Sequence, residues 1–219
     1  MSNRQNELVT RAFTTQFEAS EDEHGIIEGV PIVFGQDARI QDWAGEFIER
    51  IDPSALNNTD MRDVRLFINH DTSKMTLARS KNGNGTMTLN VQPDGVHMRA
   101  KLDIDNNAEA RALYSAIQRG DMDGMSFMFR IRGQEWKDID SELPTRIITD
   151  ISIIHEVSVV NFPAYQSTSV SARSTEETDS PLAEAREKHA KEIAENEMKR
   201  MLEIEKLKNS NIVNLYRRI

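Results

Sequence analysis

Gly124-Met125-Ser126-Phe127-Met128-Phe129-Arg130-Ile131-Arg132 places a large apolar side chain at every second position from Met125. Alternation over this length predicts a β-strand, because successive side chains on a pleated backbone point to opposite faces. Met125, Phe127, Phe129 and Ile131 then seat the strand on a core, while Ser126, Met128 and Arg130 share the other face. A hydroxyl on a strand anchored in this way has a rigid mount, which catalytic geometry requires. Taken alone, the segment also fits an ordinary half-exposed serine. Gly-x-Ser is a weak pattern, and position 128 is Met where a nucleophile elbow has Gly.

Two further segments give Ser126 a context. Val64, Leu66 and Ile68 alternate with Arg65, Phe67 and Asn69, which predicts a strand over 63–70 with His70 at its exit, followed by Asp71. An imidazole with its ordinary pKa near ~6.5 accepts a proton at neutral pH, so a histidine at a strand end is a candidate general base. Residues 146–154 and 156–161 read as two more strands. There Glu156 shares a face with Ile154, Ser158 and Val160, and His155 shares the opposite one with Ile153, Val157 and Val159, so only one of the pair can reach a given site. A carboxylate in so apolar a strand is costly unless paired, and the ring N–H of His70 is a natural partner. This favours Glu156 over His155. In chain order His70, Ser126 and Glu156 supply a base, a nucleophile and an orienting group. A metal site built from His70, Asp71, His155 and Glu156 is the weaker reading, since no pair has the i, i+4 spacing of a helical site. No cofactor or metal is expected. His24, His97 and His189 fall in a polar turn, a hairpin and a charged helix, and read as surface or structural groups.

The remaining elements form a scaffold. Ile26-Ile27 and Val30–Phe34 read as strands interrupted by Gly29 and closed by Gly35. Trp43, Phe47, Ile48 and Ile51 are spaced for a helix ended by Asp52-Pro53. Residues 86–92 and 96–102 form a hairpin across Pro93-Asp94-Gly95, where Pro presets φ and Gly accepts φ > 0. Ala110, Leu113, Tyr114 and Ile117 mark a helix over 107–119, capped by Asp105 or Asn106 and closed by Gly120. Residues 1–171 thus read as one domain, 172–180 as a polar linker, and 181–219 as a charged helical tail starting at Ser180-Pro181. Within 184–208, 14 of 25 residues are charged, seven of each sign, so this helix is expected to project from the domain.

Composition excludes several function classes. The 219 residues contain no cysteine, which removes disulfides, thiolate metal sites and a cysteine nucleophile. No apolar run approaches the roughly 18 residues that a membrane span needs, and Met1–Thr10 lacks the apolar core of a secretion signal, so a soluble intracellular protein is expected. The net charge is −9, and the first 180 residues alone carry −11. Such a domain repels nucleic acid, leaving a protein or peptide as the expected partner.

The ordered set of segments resembles the phage prohead (capsid maturation) serine protease family. The matching residues are Phe47-Ile48-Glu49 with Ile51 and Pro53, Asn69-His70-Asp71, Met125-Ser126-Phe127 before Phe129, and Glu156–Val160 before Pro163-Ala164, within about residues 10–170. The resemblance extends to the herpesvirus assembly proteases. It implies an α+β fold, namely a small, mostly antiparallel β-barrel ringed by helices, with the charged C-terminal helix outside it. It implies a serine endopeptidase with His70 as base, Ser126 as nucleophile and Glu156 as third member. In the herpesvirus relatives a second His takes that third place, which keeps His155 in view. Members of the family act inside the immature capsid in the host cytoplasm, where they cut the scaffold protein, segments of the major capsid protein and themselves. A homodimer and a tail removed by self-cleavage would fit that setting. The alternative is a non-catalytic scaffold or shell-interior protein that retains the protease fold.

Overall fold

The computed structural model describes residues 7–14, 17–20, 23–161, 170–171 and 180–216. Most of the expected linker, and Pro163-Ala164, lie outside them. The chain runs through β1 (Glu7–Thr14), β2 (Phe17–Ala19), β3 (Ile26–Val33), β4 (Ala38–Asp42) and β5 (Gly45–Ile51). Next come β6 (Asp63–Ile68), β7 (Ala78–Lys81), β8 (Asn84–Gly85), β9 (Met87–Gln92) and β10 (Gly95–Lys101). Helix α1 (Ala108–Gln118) leads to β11 (Gly124–Lys137), β12 (Thr145–Val160), β13 (Val170–Ser171) and helix α2 (Pro181–Tyr216). The class is α+β.

β12 organises the larger sheet. Along one edge it pairs antiparallel with β11, which in turn carries β1. Along the other edge its first residues pair parallel with β5 and its last with β6. β4, β13, β7 and β8 extend this sheet, and β2, β3, β10 and β9 form a second one. Apolar residues of the two sheets meet in the main core, which α1 covers with Ala110, Leu113, Tyr114 and Ile117. The ladders among the described residues do not close into a ring, so the barrel implied by the resemblance is replaced by two packed sheets. Strands at 146–154 and 156–161 are one continuous strand bent by irregularities in its pairing with β11, and β11 itself runs on to Lys137.

Two local expectations are corrected. Residues 43–51 form a hairpin tip and β5 rather than a helix. The inward row is Phe47, Glu49 and Ile51, all 2% exposed or less, so a charged residue occupies the middle of a period-two pattern and hides it. The cap of α1 is Asn107, whose Oδ1 accepts from the Glu109 and Ala110 amides at 2.9 and 3.2 Å. Asp105 and Asn106 belong to the turn that leads into it.

Buried Glu49 accepts from the Arg11 guanidinium at Nε and at Nη2 (2.8 Å), and from Arg146 Nη1 at 3.2 Å. Arg146 Nε also donates to Gln134 Oε1 at 2.6 Å. This network ties β1, β5, β11 and β12 together between the main core and a smaller one made by Ala38, Ile40, Phe47, Ile139 and Leu182. Burial alone would push the Glu49 carboxyl up, but Arg11 and Arg146 outweigh it and hold the group below the ordinary carboxylate range.

Leu182 shows that α2 is not wholly projecting. Its side chain is fully buried in the smaller core. Ser180 Oγ donates to Asp42 Oδ2 at 2.6 Å and accepts from the Ala183 amide at 2.9 Å, so it caps the helix and fastens it to β4. Farther along, Ile193, Met198, Met201, Leu202, Ile204 and Leu207 are exposed, as the dense charge of this stretch predicts.

Candidate active site

The site lies on the face of the larger sheet where β11, β12 and β6 run side by side. Ser126 pairs with Ser158 and Met128 with Glu156, while Glu156 and Ser158 pair with Arg65 and Phe67 of β6. Cross-strand partners share a face, so these residues form one patch. On the opposite face Met125, Phe127 and Phe129 are fully buried in the main core, with Phe127 and Phe129 stacked at 4.4 Å.

A tight turn brings His70 over that patch. Asn69 and His70 both have positive φ, 50° and 60°, and the Asp71 amide closes on Ile68 O at 3.1 Å, the pattern of a type I′ turn. Asn and His tolerate this conformation better than most residues. Asn69 N–H donates to Val159 O at 2.9 Å, Asn69 Oδ1 accepts from the Asn161 amide at 3.1 Å, and His70 N–H donates to Ser158 Oγ at 3.1 Å. The turn is thereby sewn to β12, and the imidazole folds back across the sheet.

The three residues read from the sequence meet here. His70 Nδ1 lies 2.6 Å from Glu156 Oε1, and His70 Nε2 lies 2.6 Å from Ser126 Oγ. The carboxylate can only accept from Nδ1–H, which leaves Nε2 of a neutral ring free to accept the serine proton. Ser158 Oγ donates to Glu156 Oε2 at 2.6 Å, so both carboxylate oxygens are engaged. Ser126 Oγ also lies 2.8 Å from Arg11 O on β1. One hydroxyl proton cannot serve two acceptors. When the imidazole is protonated, Nε2–H donates to Oγ and the serine proton turns to Arg11 O. When it is neutral, the proton turns to Nε2. Ser126 has no exposed surface, whereas the sequence suggests an open face; β1 and the His70 turn pack beside it. Substrate access to Oγ therefore requires local movement.

His155 takes a different place from the expected one. Consecutive Met128 and Phe129 pair with Glu156 and Ile154, so His155 is the extra residue of a β-bulge. The bulge breaks the alternation that would separate the two side chains, and both His155 and Glu156 line a cavity of about 290 Å³. His155 makes no hydrogen bond to Ser126 or His70 and so stands outside the relay. Its Nε2 is buried without a hydrogen-bond partner, and burial, aided by Arg130, holds the imidazole below its ordinary pKa. Asp71 accepts from Ser73 and takes no part. Among the described residues no group of three His, Asp or Glu side chains is placed to share a metal ion.

Ser158 and the Arg11 carbonyl are absent from the sequence reading of the site. Ser158 had a signal, since it sits two residues beyond Glu156 on the same face. Arg11 had none, because its contribution is a backbone oxygen delivered by strand pairing. Ser158 touches Glu156 and the His70 backbone, so it acts as a positioning residue. For the serine endopeptidase expected from the sequence, Ser158→Ala would lower kcat by up to roughly 10²-fold with KM little changed; stopped assays across substrate concentration measure both.

Comparison with known proteins gives the chain's family. The profile of the caudovirus prohead serine proteases matches residues 11–181, a span that contains His70, Ser126 and Glu156. The chain is 30% identical over 152 residues to the prohead protease of Enterobacteria phage HK97, covering 68% of this chain and 60% of that protein. It therefore spans about 60% of the length of that curated relative. No solved structure matches the chain. No helix among the described residues is long and apolar enough to cross a membrane. On the match over residues 11–181 and the identity to the HK97 protein, the chain belongs to the caudovirus prohead serine protease family.

Proposed function

We propose that this chain is a serine endopeptidase of capsid maturation, acting inside the prohead on scaffold and capsid-protein segments and on itself. The observation that carries the reading is the continuous relay from Glu156 Oε1 through the His70 ring to Ser126 Oγ, 2.6 Å at each step. Ser126 Oγ attacks the peptide carbonyl carbon as His70 Nε2 takes its proton. Collapse of the tetrahedral species breaks the C–N bond, the same proton passes to the leaving amine, and water reverses the sequence at the acyl-serine. Glu156, held by Ser158, keeps the Nδ1–H tautomer in place and balances the imidazolium charge. The base of α2 is anchored through Ser180 and Leu182, so the exposed remainder of the helix is the part suited to hold the enzyme within the shell as a homodimer or through capsid contacts until a cut near 172–180 releases it.

A second reading, a shell-interior scaffold protein without catalysis, draws support from the complete burial of Ser126. Incubating the purified chain with the capsid and scaffold proteins of the phage that encodes it separates the two. New termini found by mass spectrometry with wild type and missing with Ser126→Ala support the endopeptidase. Substrates that stay intact with both leave the scaffold reading standing.

A further inference from the structure

We propose that the cavity beside Glu156 receives the substrate side chain flanking the scissile bond and selects a carboxylate, so that cleavage falls next to glutamate or aspartate. The proposal rests on the endopeptidase reading above. Position is the first argument. Met128, in the cavity wall, stands two residues from Ser126 on the same strand face, about 7 Å along the strand. Glu156 forms another part of the wall, so the cavity adjoins the relay directly. A side chain next to a carbonyl held at Ser126 Oγ would reach it.

Chemistry is the second argument. Phe67 and Met128 offer apolar surface for a methylene stem. Around them stand Arg65 from β6, Lys74 with two threonines from the loop that follows His70, and His155 from the bulge. The one acidic group in the lining, Glu156, already has its oxygens engaged by His70 and Ser158. Arg65 shares its counter-ion, Asp63, with Arg79, which donates to both oxygens of that carboxylate. Lys74 has no ion pair among the described residues; the nearby Asp71 carboxylate accepts from Ser73. His155 adds an imidazole to the same wall, and its Nε2 is buried without a hydrogen-bond partner. Donors therefore await an acceptor. An anionic side chain supplies acceptors and a counter-charge for Lys74, whereas a lysine or arginine side chain would meet two cations. The volume of about 290 Å³ suits a single side chain and falls just below the roughly 300–1,000 Å³ range of small-molecule pockets.

A degenerate peptide library incubated with wild type, Ser126→Ala, Lys74→Glu and His155→Phe, with the cut sites read by mass spectrometry, tests the assignment. Circular dichroism checks that each variant is folded. Acidic residues are expected within one residue of Ser126-dependent cuts at about tenfold or greater enrichment, and each cavity substitution is expected to reduce that enrichment several-fold. Ser126-dependent cuts without acidic enrichment, or enrichment unchanged by both substitutions, would overturn the cavity's role while leaving the protease reading intact. Absence of any Ser126-dependent cut would remove the protease reading, and the cavity's role with it.

Discussion

Ser126→Ala is expected to lower kcat for peptide cleavage by about 10⁴–10⁶-fold, to the level that binding and electrostatics alone sustain. The size follows from the geometry. Ser126 Oγ is the hydroxyl that His70 Nε2 meets at 2.6 Å, and no cysteine exists in the chain to replace it. His70→Ala should cost a similar factor, because without the ring the hydroxyl proton can only turn to Arg11 O, which cannot take it up. The two substitutions act on one unit, so the double variant should be scarcely slower than either single one. The folded state should survive: deleting one buried hydroxyl from this site costs on the order of 1–3 kcal/mol. Single-turnover assays with matched circular dichroism spectra measure both parts. Activity losses that multiply in the double variant would mean that the two groups act separately.

The largest effect on stability is expected at Glu49. Glu49→Ala leaves the Arg11 and Arg146 guanidinium groups facing each other in the interior without their shared carboxylate, and the buried pairs are lost from one side only. Breaking a buried ion pair in this way costs about 3–5 kcal/mol, a large part of a typical domain's stability. The consequence reaches the site, because Arg11 lies on the strand whose carbonyl contacts Ser126 Oγ. Glu49 also fixes an acid limb. Its pKa in the folded state lies below the ordinary 4.5, so the unfolded chain binds the proton more readily. The stabilisation is therefore fully present above about pH 4.5 and is lost as the pH falls below it. Denaturant titrations at pH 7 and in the range 3.5–4.5 should show wild type losing stability on acidification, and Glu49→Gln losing less. An equal slope in the two proteins would assign the acid limb to other carboxylates.

Much of this fold can be read from alternation and turn chemistry. The hairpin at Pro93-Asp94-Gly95, helix α1 and the inward row of β11 follow from local pattern, since each is a regular element with one buried face. The role expected of Gly95 is corrected: its φ is not positive, and glycine is required because a Cβ there would lie 2.2 Å from Ile32 O. The reading fails where tertiary partners override the pattern. Glu49 reads as a polar surface residue until Arg11 and Arg146 arrive from strands 38 and 97 residues away. The bulge at His155 carries no Gly or Pro to announce it, so the two faces of β12 look cleanly separated when locally they are not. The turn at Asn69-His70 is likewise built without glycine. The helical spacing over 43–51 arises because Trp43, at the hairpin tip, is 66% exposed and only happens to complete a stripe.

The candidate site is legible to a different degree. Histidine at a strand exit, serine opposite an apolar row and a carboxylate inside an apolar strand each break the surrounding pattern, and such breaks mark residues whose partners lie elsewhere in the chain. What local pattern cannot supply is coverage. Alternation gives the face on which Ser126 stands, but it cannot reveal that β1 and the His70 turn bury it. Nor can it reveal that Ser158 ties the carboxylate and the turn together. Those facts come from pairing across 86 to 115 residues.

Labelling with a fluorophosphonate tests the central claim most directly, since this reagent forms a stable bond only with a serine whose proton a neighbouring base removes. Intact mass and peptide mapping should find one adduct per chain, located on Ser126, absent in His70→Ala and in protein unfolded by denaturant. A folded wild-type protein that remains unlabelled at Ser126 through prolonged exposure, or labels there equally without His70, would contradict the account.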